Sequence, residues 1–565
     1  MNENKSEISI NKMEEQASLI LLSENEQQAG TKPERKSGKG VSDKVTYKPY
    51  DQSQQFLIPP SVDELIPSDH LVRLVNKVID EMGVEQLLRK YQAGGGAPRY
   101  HAVMMVKVFV YGYMTRVCSS RMLAKALREN VMFMWLSGNQ KPDFRTLNDF
   151  RGKILQEVME EIFVTSVKML AAAGYIKLEN YFEDGTKIES ASGRYTFVWK
   201  KTVEKNDKKL DEKLRAYIKM AEQAWEDENA EYGDKDLEEL GGKETFSSED
   251  VQELAGVLRQ RLEALEDEKA KKKLSKELKT VEQEYLPRKE KYEASKEILG
   301  ERNSYSKTDA DATFMRMKED HIGNGQLKPA YNVQAGTENG FVVGYDIFQN
   351  PGDTRTLKPH LERQAGRLGV RPKAVITDAG YGSEENYVYL EEQETVAVIK
   401  YNTYHKEKSK KWKEDKFRTE NWEYNAEEKY YVCPNGKKLT YRESREDTTG
   451  SGFPIQIDRY ECESCEGCPM KSECTKAQGN RVIDRNERLF RLKTKAKEVL
   501  QDEEYSKLRK QRSVEVETVF GQIKGNQGFR RFLLRGIEKV STEWGLLSLG
   551  YNMKQLFRLK NKKAG

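Results

Sequence analysis

Apolar residues recur every three or four positions from Leu71 to Leu88, from His101 to Val117 and from Ser120 to Trp135, and again beyond the turn GNQKPD from about Asp143 to Ala173. That period sets one face of a helix against a core, so residues 56–173 are predicted to form an all-helical N-terminal domain. Pro59, Pro60 and Pro67 punctuate its entry, Ser68 or Asp69 is placed to cap the first helix, and the run Gly94–Gly96 breaks the pattern. At Tyr175 the texture changes. KLENYFEDGTKIE, AYNVQAG, GFVVGYDIF, KAVITDAGYG and TVAVIKYN are short, β-branched and aromatic, which is how strands read. Strands alternating with helical stretches predict an α/β core over 175–402. A Lys/Glu/Leu-rich stretch at 199–300, read as a long helical hairpin with solvated faces, interrupts it. A second interruption, 403–485, is Cys-rich, and a basic helical segment over 489–559 closes the core. Residues 1–45 are polar and aperiodic, and are predicted to be a disordered arm.

A length of 565 residues allows three or four such units. The net charge of +4 says little by itself. Its distribution says more: 201–300 is net acidic by about six charges and 481–565 net basic by about eleven. A basic end is where an anionic polymer would sit. No stretch approaches the roughly 18 uninterrupted apolar residues of a membrane helix, because the run Val103–Met114 is broken by Lys107. The N-terminus lacks the apolar core of a secretory signal, so a cytoplasmic protein is expected. No P-loop and no GxGxxG occurs, which argues against a nucleotide cofactor.

Two aspartates stand at predicted strand ends: Asp184 before Gly185, and Asp378 before the turn Ala379–Gly382. Sites in open α/β sheets form at strand ends. Two acids on neighbouring strands repel, and a hard divalent cation such as Mg²⁺ relieves that repulsion while keeping waters for a phosphate. The same placement also suits an Asp that merely caps the following turn. A third acid comes from RSVEVETVFGQIKGNQGFRRFLLRGIEKV, where Glu517 and Lys524 lie seven apart and share a helical face; Glu515 points roughly the other way. Arg530, Arg531 and Arg535, interleaved with Phe529 and Phe532, suit nucleic-acid backbone contacts. Trp199 would stack on an unpaired base with Lys200 and Lys201 on phosphate, or else pack in a core. Five of the six cysteines fall within Cys433–Cys474. Cys462, Cys465 and Cys468 follow one another at Cys-x-x-Cys spacing, with Cys474 beyond and Cys433 upstream, which points to structural Zn²⁺ with five thiols for four places, the alternatives being reduced thiols packed in a small β-rich insertion or an Fe–S cluster.

The segments YFEDGTKIE, YTFVWKK, MKEDHIGNGQLKPAYNVQ, VITDAGYG, VEVETVFGQIK and GFRRFLLRGIEKV, in this order, resemble the DDE transposases of bacterial insertion sequences, in particular their 1182 group, over about Phe56 to Leu556. The resemblance implies an RNase H-like core, a mixed sheet flanked by helices, with the triad on Asp184, Asp378 and Glu517. The lysine expected after six intervening residues is Lys524. The arginine expected three intervening residues before the glutamate is replaced by Ser513, and Arg512 is one position off. Two Mg²⁺ (or Mn²⁺) ions about 3.5–4 Å apart are then expected, Asp184 bridging them while Asp378 and Glu517 each hold one. Water would cut the DNA and the freed 3′-hydroxyl would join it to target. The implied partners are the terminal inverted repeats, target DNA and a second copy of the chain in a synaptic dimer. The stretch SSRMLAKALRENVMFMWLSG…FRTLNDFRGKI reads either as a helix-turn-helix that binds the element ends, as the resemblance implies for this region, or as a helix pair that merely packs. A metal-dependent nuclease without strand transfer and an inactive DNA-binding regulator stay open as alternatives.

Overall fold

The computed structural model describes residues 61–88, 100–226, 243–317 and 325–564. The polar arm at 1–45, Pro59, Pro60 and Gly94–Gly96 lie outside the described residues.

Helices α1 (Leu71–Glu81), α2 (Ala102–Met114), α3 (Ser120–Glu129) and α4 (Leu155–Ala172) make up most of the N-terminal part, with shorter helical turns between them. His70, not Ser68 or Asp69, caps α1, its Nδ1 accepting from the Val72 N–H at 3.1 Å. Ser119 caps α3 in the ordinary way. Every residue of α2 except Lys107 is buried, as befits a helix apolar all round. Lys107 reaches outward to Asp80, 2.6 Å away. A widened π turn, Phe150–Ile154, leads into α4.

The main sheet is mixed. β1 (Asn180–Glu189) pairs antiparallel with β5 (Leu327–Glu338) along one edge and parallel with β7 (Ala374–Ile376) along the other. β7 continues in parallel to β8 (Val396–Val398). The far edge of β5 carries β4 (Thr313–Arg316) at its start and β6 (Phe341–Phe348) over the rest. A two-stranded ribbon, β2 (Phe197–Trp199) with β3 (Ser304–Ser306), lies apart.

Between β2 and β3 the expected hairpin is instead four described helices: α5 (Lys200–Glu226), α6 (Ser248–Ala264), α7 (Glu268–Thr280) and α8 (Leu286–Leu299). A Ser247–Asp250 capping box starts α6, Asp267 caps α7, and a π turn at Val281–Tyr285 runs α7 into α8. The charged composition hid these breaks, since the capping residues are themselves polar. The packed rods share a small core of their own around Leu214, Val251, Leu258 and Val281.

After α9 (Leu357–Leu368) and α10 (Glu384–Glu392) comes a second, all-antiparallel sheet in the order β13–β12–β11–β10–β9. Its strands are β9 (Glu423–Asn425), β10 (Tyr430–Val432), β11 (Lys438–Thr448), β12 (Pro454–Cys462) and β13 (Val482–Arg485). Three helices close the chain: α11 (Glu487–Gln501), α12 (Glu503–Phe520) and α13 (Ile537–Ala564). α12 crosses β1, β5 and β7, while α13 packs between α2, α4 and β6. One continuous apolar core therefore runs from the N-terminal helices through the sheet to α13. Among the described residues no helix is long and apolar enough to cross a membrane.

Candidate active site

β1 carries the first acid. Asn180, Tyr181 and Phe182 pair with Ala374, Val375 and Ile376 of β7, so Asp184 and Asp378, each two residues further on, come level on adjacent strands. β1 is fixed from its other face by a buried chain: Tyr181 OH lies 2.7 Å from His360 Nε2, and His360 Nδ1 lies 2.7 Å from Asp346 Oδ2. Gly185 keeps the next position clear, as a Cβ there would stand 2.3 Å from Gln334 Nε2 and 2.5 Å from Asp353 Oδ1. Asp184 Oδ1 accepts from the Gly185 N–H at 2.9 Å.

The third acid arrives on α12. Glu517 is more than half exposed and lines the same cleft as Asp184, Gly185, Lys524 and Arg530, a volume of about 650 Å³. Past Phe520 the helix widens into a π turn, Gly521–Asn526, which holds Lys524. Glu515 does point elsewhere: its Oε2 accepts from the Gly340 N–H at 2.7 Å, tying α12 to the β5–β6 hairpin.

Arg512 lies between the acids. Its Nη1 is 3.2 Å from Asp184 Oδ2 and its Nη2 3.8 Å from Glu517 Oε1. Burial raises the Asp184 carboxyl above the ordinary range for an Asp; Arg512 opposes that rise and Asp378 adds to it. Asp378 is bound locally, its Oδ1 accepting from the Gly380 N–H at 2.7 Å, and it does not line the cleft shared by Asp184 and Glu517. Among the described residues no three His, Cys, Asp or Glu side chains stand closed around one point. The donors nonetheless suit a hard divalent ion, being carboxylates from separate elements, and the Asp184–Glu517 pair already accommodates positive charge.

The basic run divides. Arg530 lines the cleft. Arg531 donates to the carbonyls of Ser190 and Ser192 at 3.0 and 2.9 Å, and Arg535 donates to that of Ala191 at 3.1 Å, so both hold the loop after β1. Phe529 and Phe532, interleaved with these arginines in the sequence, are core residues, and Phe532 packs edge-on against Tyr331. Trp199 is half-buried against Phe197 and Phe314. Lys200 reaches the Gly300 carbonyl at 3.0 Å, and Lys201 is exposed.

Asp353 escaped the sequence reading. It lines the cleft, and its Oδ1 accepts from Asn332 Nδ2 at 2.8 Å and Gln334 Nε2 at 3.0 Å. Its only local signal is a Pro–Gly turn before a helix, and many surface loops show that.

The family model described as Transposase domain (DUF772) matches residues 60–153, the N-terminal helices. The model described as Transposase DDE domain matches residues 432–557, which include Glu517 and Lys524. No curated protein and no solved structure matches the chain. Two transposase models thus match one chain in series, one on its helical N-terminal part and one on the part that brings Glu517 to Asp184, and together they support a DDE-type insertion-sequence transposase.

Proposed function

We propose that this transposase cuts DNA at the ends of its own element and joins the freed ends to target DNA, using Asp184, Asp378 and Glu517 to hold Mg²⁺. The observation that carries the reading is the single guanidinium spanning Asp184 and Glu517, residues from β1 and α12 that are far apart in sequence. Three antiparallel strands, β6–β5–β1, followed by parallel β7 and β8, support an RNase H-like core. Bound divalent ions would lower the pKa of an attacking water and offset charge on the leaving oxygen. Taking them up asks Arg512 to swing off Asp184 and Asp378 to release the Gly380 N–H. A released Arg512, with Lys524 and Arg530 on the cleft wall, would then grip the DNA phosphates. Strand transfer exchanges one phosphodiester for another, so the chemistry needs no nucleotide. The N-terminal helices would bind the terminal inverted repeats, and synapsis of two ends calls for two copies of the chain.

The test is incubation with Mg²⁺ and a DNA end bearing the element's terminal repeat, with products resolved on a sequencing gel. Cleavage and joined products are expected from the wild-type chain. Asp184→Asn is expected to lose both while still shifting the DNA in a binding gel. Cutting retained by that variant would remove Asp184 from the mechanism, and cutting without joining would reduce the protein to a nuclease.

A further inference from the structure

We propose that Cys433, Cys465, Cys468 and Cys474 form a structural zinc site that clamps the second sheet, and that Cys462 is a fifth, uncoordinated thiol of its core.

The five thiols come from three places in the fold and line one cavity of about 20 Å³, room for about one water-sized sphere and hence for a bare ion. Cys433 stands in the tight turn after β10, where the Gly436 N–H donates to its carbonyl at 2.8 Å. Cys465 and Cys468 lie on either side of Glu466–Gly467, and Gly467 takes the left-handed conformation (φ 66°) that lets two cysteines two residues apart turn toward one point. Cys474 ends a short helix, Lys471–Cys474, and sits within electrostatic reach of Cys433, Cys465 and Cys468. Cys465 Sγ already accepts an N–H from Arg481 at 3.2 Å, which fixes its sulfur on the cavity wall. These four give one Cys₄ set in the tetrahedral pattern zinc takes.

Cys462 differs. It ends β12 opposite Leu439 of β11 and is 2% exposed among Tyr431, Leu439 and Tyr460. Its thiol lies 3.7 Å from the Ser464 carbonyl and beside Cys465, and it is the most buried of the five. A thiol so placed packs as a small apolar side chain.

The sheet also needs a staple. Its core is small, built around Trp422, Tyr431, Leu439, Tyr460 and Ile483, and almost all of β11 is exposed. A β-structure that buries so little is the kind a metal holds together. The sulfurs are not yet gathered into a closed shell, so the ion would draw them in across the cavity.

The experiment measures metal on the full chain and is independent of transposition. Wild-type protein and Cys462→Ser, purified and dialysed against chelator-free buffer, are each expected to hold about one zinc per chain by mass spectrometry of the metal. Cys465→Ser and Cys474→Ser are expected to lose it. The wild-type chain stripped of zinc and given Co²⁺ supplies a second reading that is independent of how those variants fold: the visible absorption of tetrahedral thiolate-bound Co²⁺ should appear and saturate at one equivalent. No zinc and no Co²⁺ spectrum in the wild type, or a disulfide among these cysteines, would overturn the site. Zinc kept by Cys474→Ser, or lost from a folded Cys462→Ser, would overturn the assignment.

Discussion

Replacing a hydrogen of Gly185 with a methyl group would drive a carbon against both Gln334 Nε2 and Asp353 Oδ1. Both atoms belong to a buried network in which Asn332 and Gln334 donate to Asp353 and Tyr381 OH donates to Gln334. Neither is the loose end of a flexible side chain. Gly185→Ala is therefore expected to cost about 1–3 kcal/mol in urea unfolding, and to depress cleavage further because Asp184 Oδ1 rests on the Gly185 N–H. A variant as stable as the wild type would show that the network yields freely. The reason Asp184, Glu517 and Lys524 could be picked out of the sequence is local: an acid followed by glycine at the end of an apolar run, and two charges a whole number of helical turns apart. The contact of Arg512 with Asp184 had no such signal. It depends on how α12 crosses β1, a distance between elements that no local spacing encodes.

At the scale of elements, α10 and α11 are joined by charge. Glu391 accepts from Arg491 through both oxygens, at 2.9 and 2.6 Å, and from Lys495 at 2.8 Å. Hydrogen bonds from Arg491 and then Lys495 hold the Glu391 carboxyl down at about 2. A folded pKa below the unfolded one means the unfolded chain takes up the proton first. The stabilisation is therefore complete above pH 4.5 and drains away as pH falls toward 2. Because the pair is partly in solvent, its worth is only about 1 kcal/mol. Glu391→Gln should lower stability by that amount at pH 7, and the gap to wild type should close on acidification in paired denaturant curves; a gap constant with pH would mean packing, not charge, joins the helices. The helices and longer core strands were legible because burial on one face imposes a period. The strands of the second sheet were not, since β11 is exposed almost throughout and shows no apolar alternation. The breaks in the 199–300 stretch were hidden for a related reason, as caps and solvated helix faces use the same polar residues.

Across the whole molecule, a buried polar chain joins the two stretches that the transposase models match. Arg151, in the π turn before α4, donates to Tyr113 OH at 2.9 Å and to the Cys118 carbonyl at 2.9 Å. Tyr113 OH donates to Glu543 Oε1 at 3.0 Å, and Glu543 Oε2 accepts the N–H groups of Leu533 and Leu534. All three side chains are nearly inaccessible. The network thus runs from the N-terminal helices to the segment whose Arg531 and Arg535 hold the loop after β1. One hydrogen-bonded path thus joins the seating of the N-terminal helices to the loop beside the cleft, a path that the end recognition proposed above would use. Arg151→Met would leave Glu543 and Tyr113 buried with an acceptor short of donors, a loss of roughly 3–5 kcal/mol. If the link is real, hydrogen exchange should speed up together in α2, in α13 and in residues 529–535. Faster exchange confined to the N-terminal helices would mean that the two matched stretches fold as separate units and that this network does not join them.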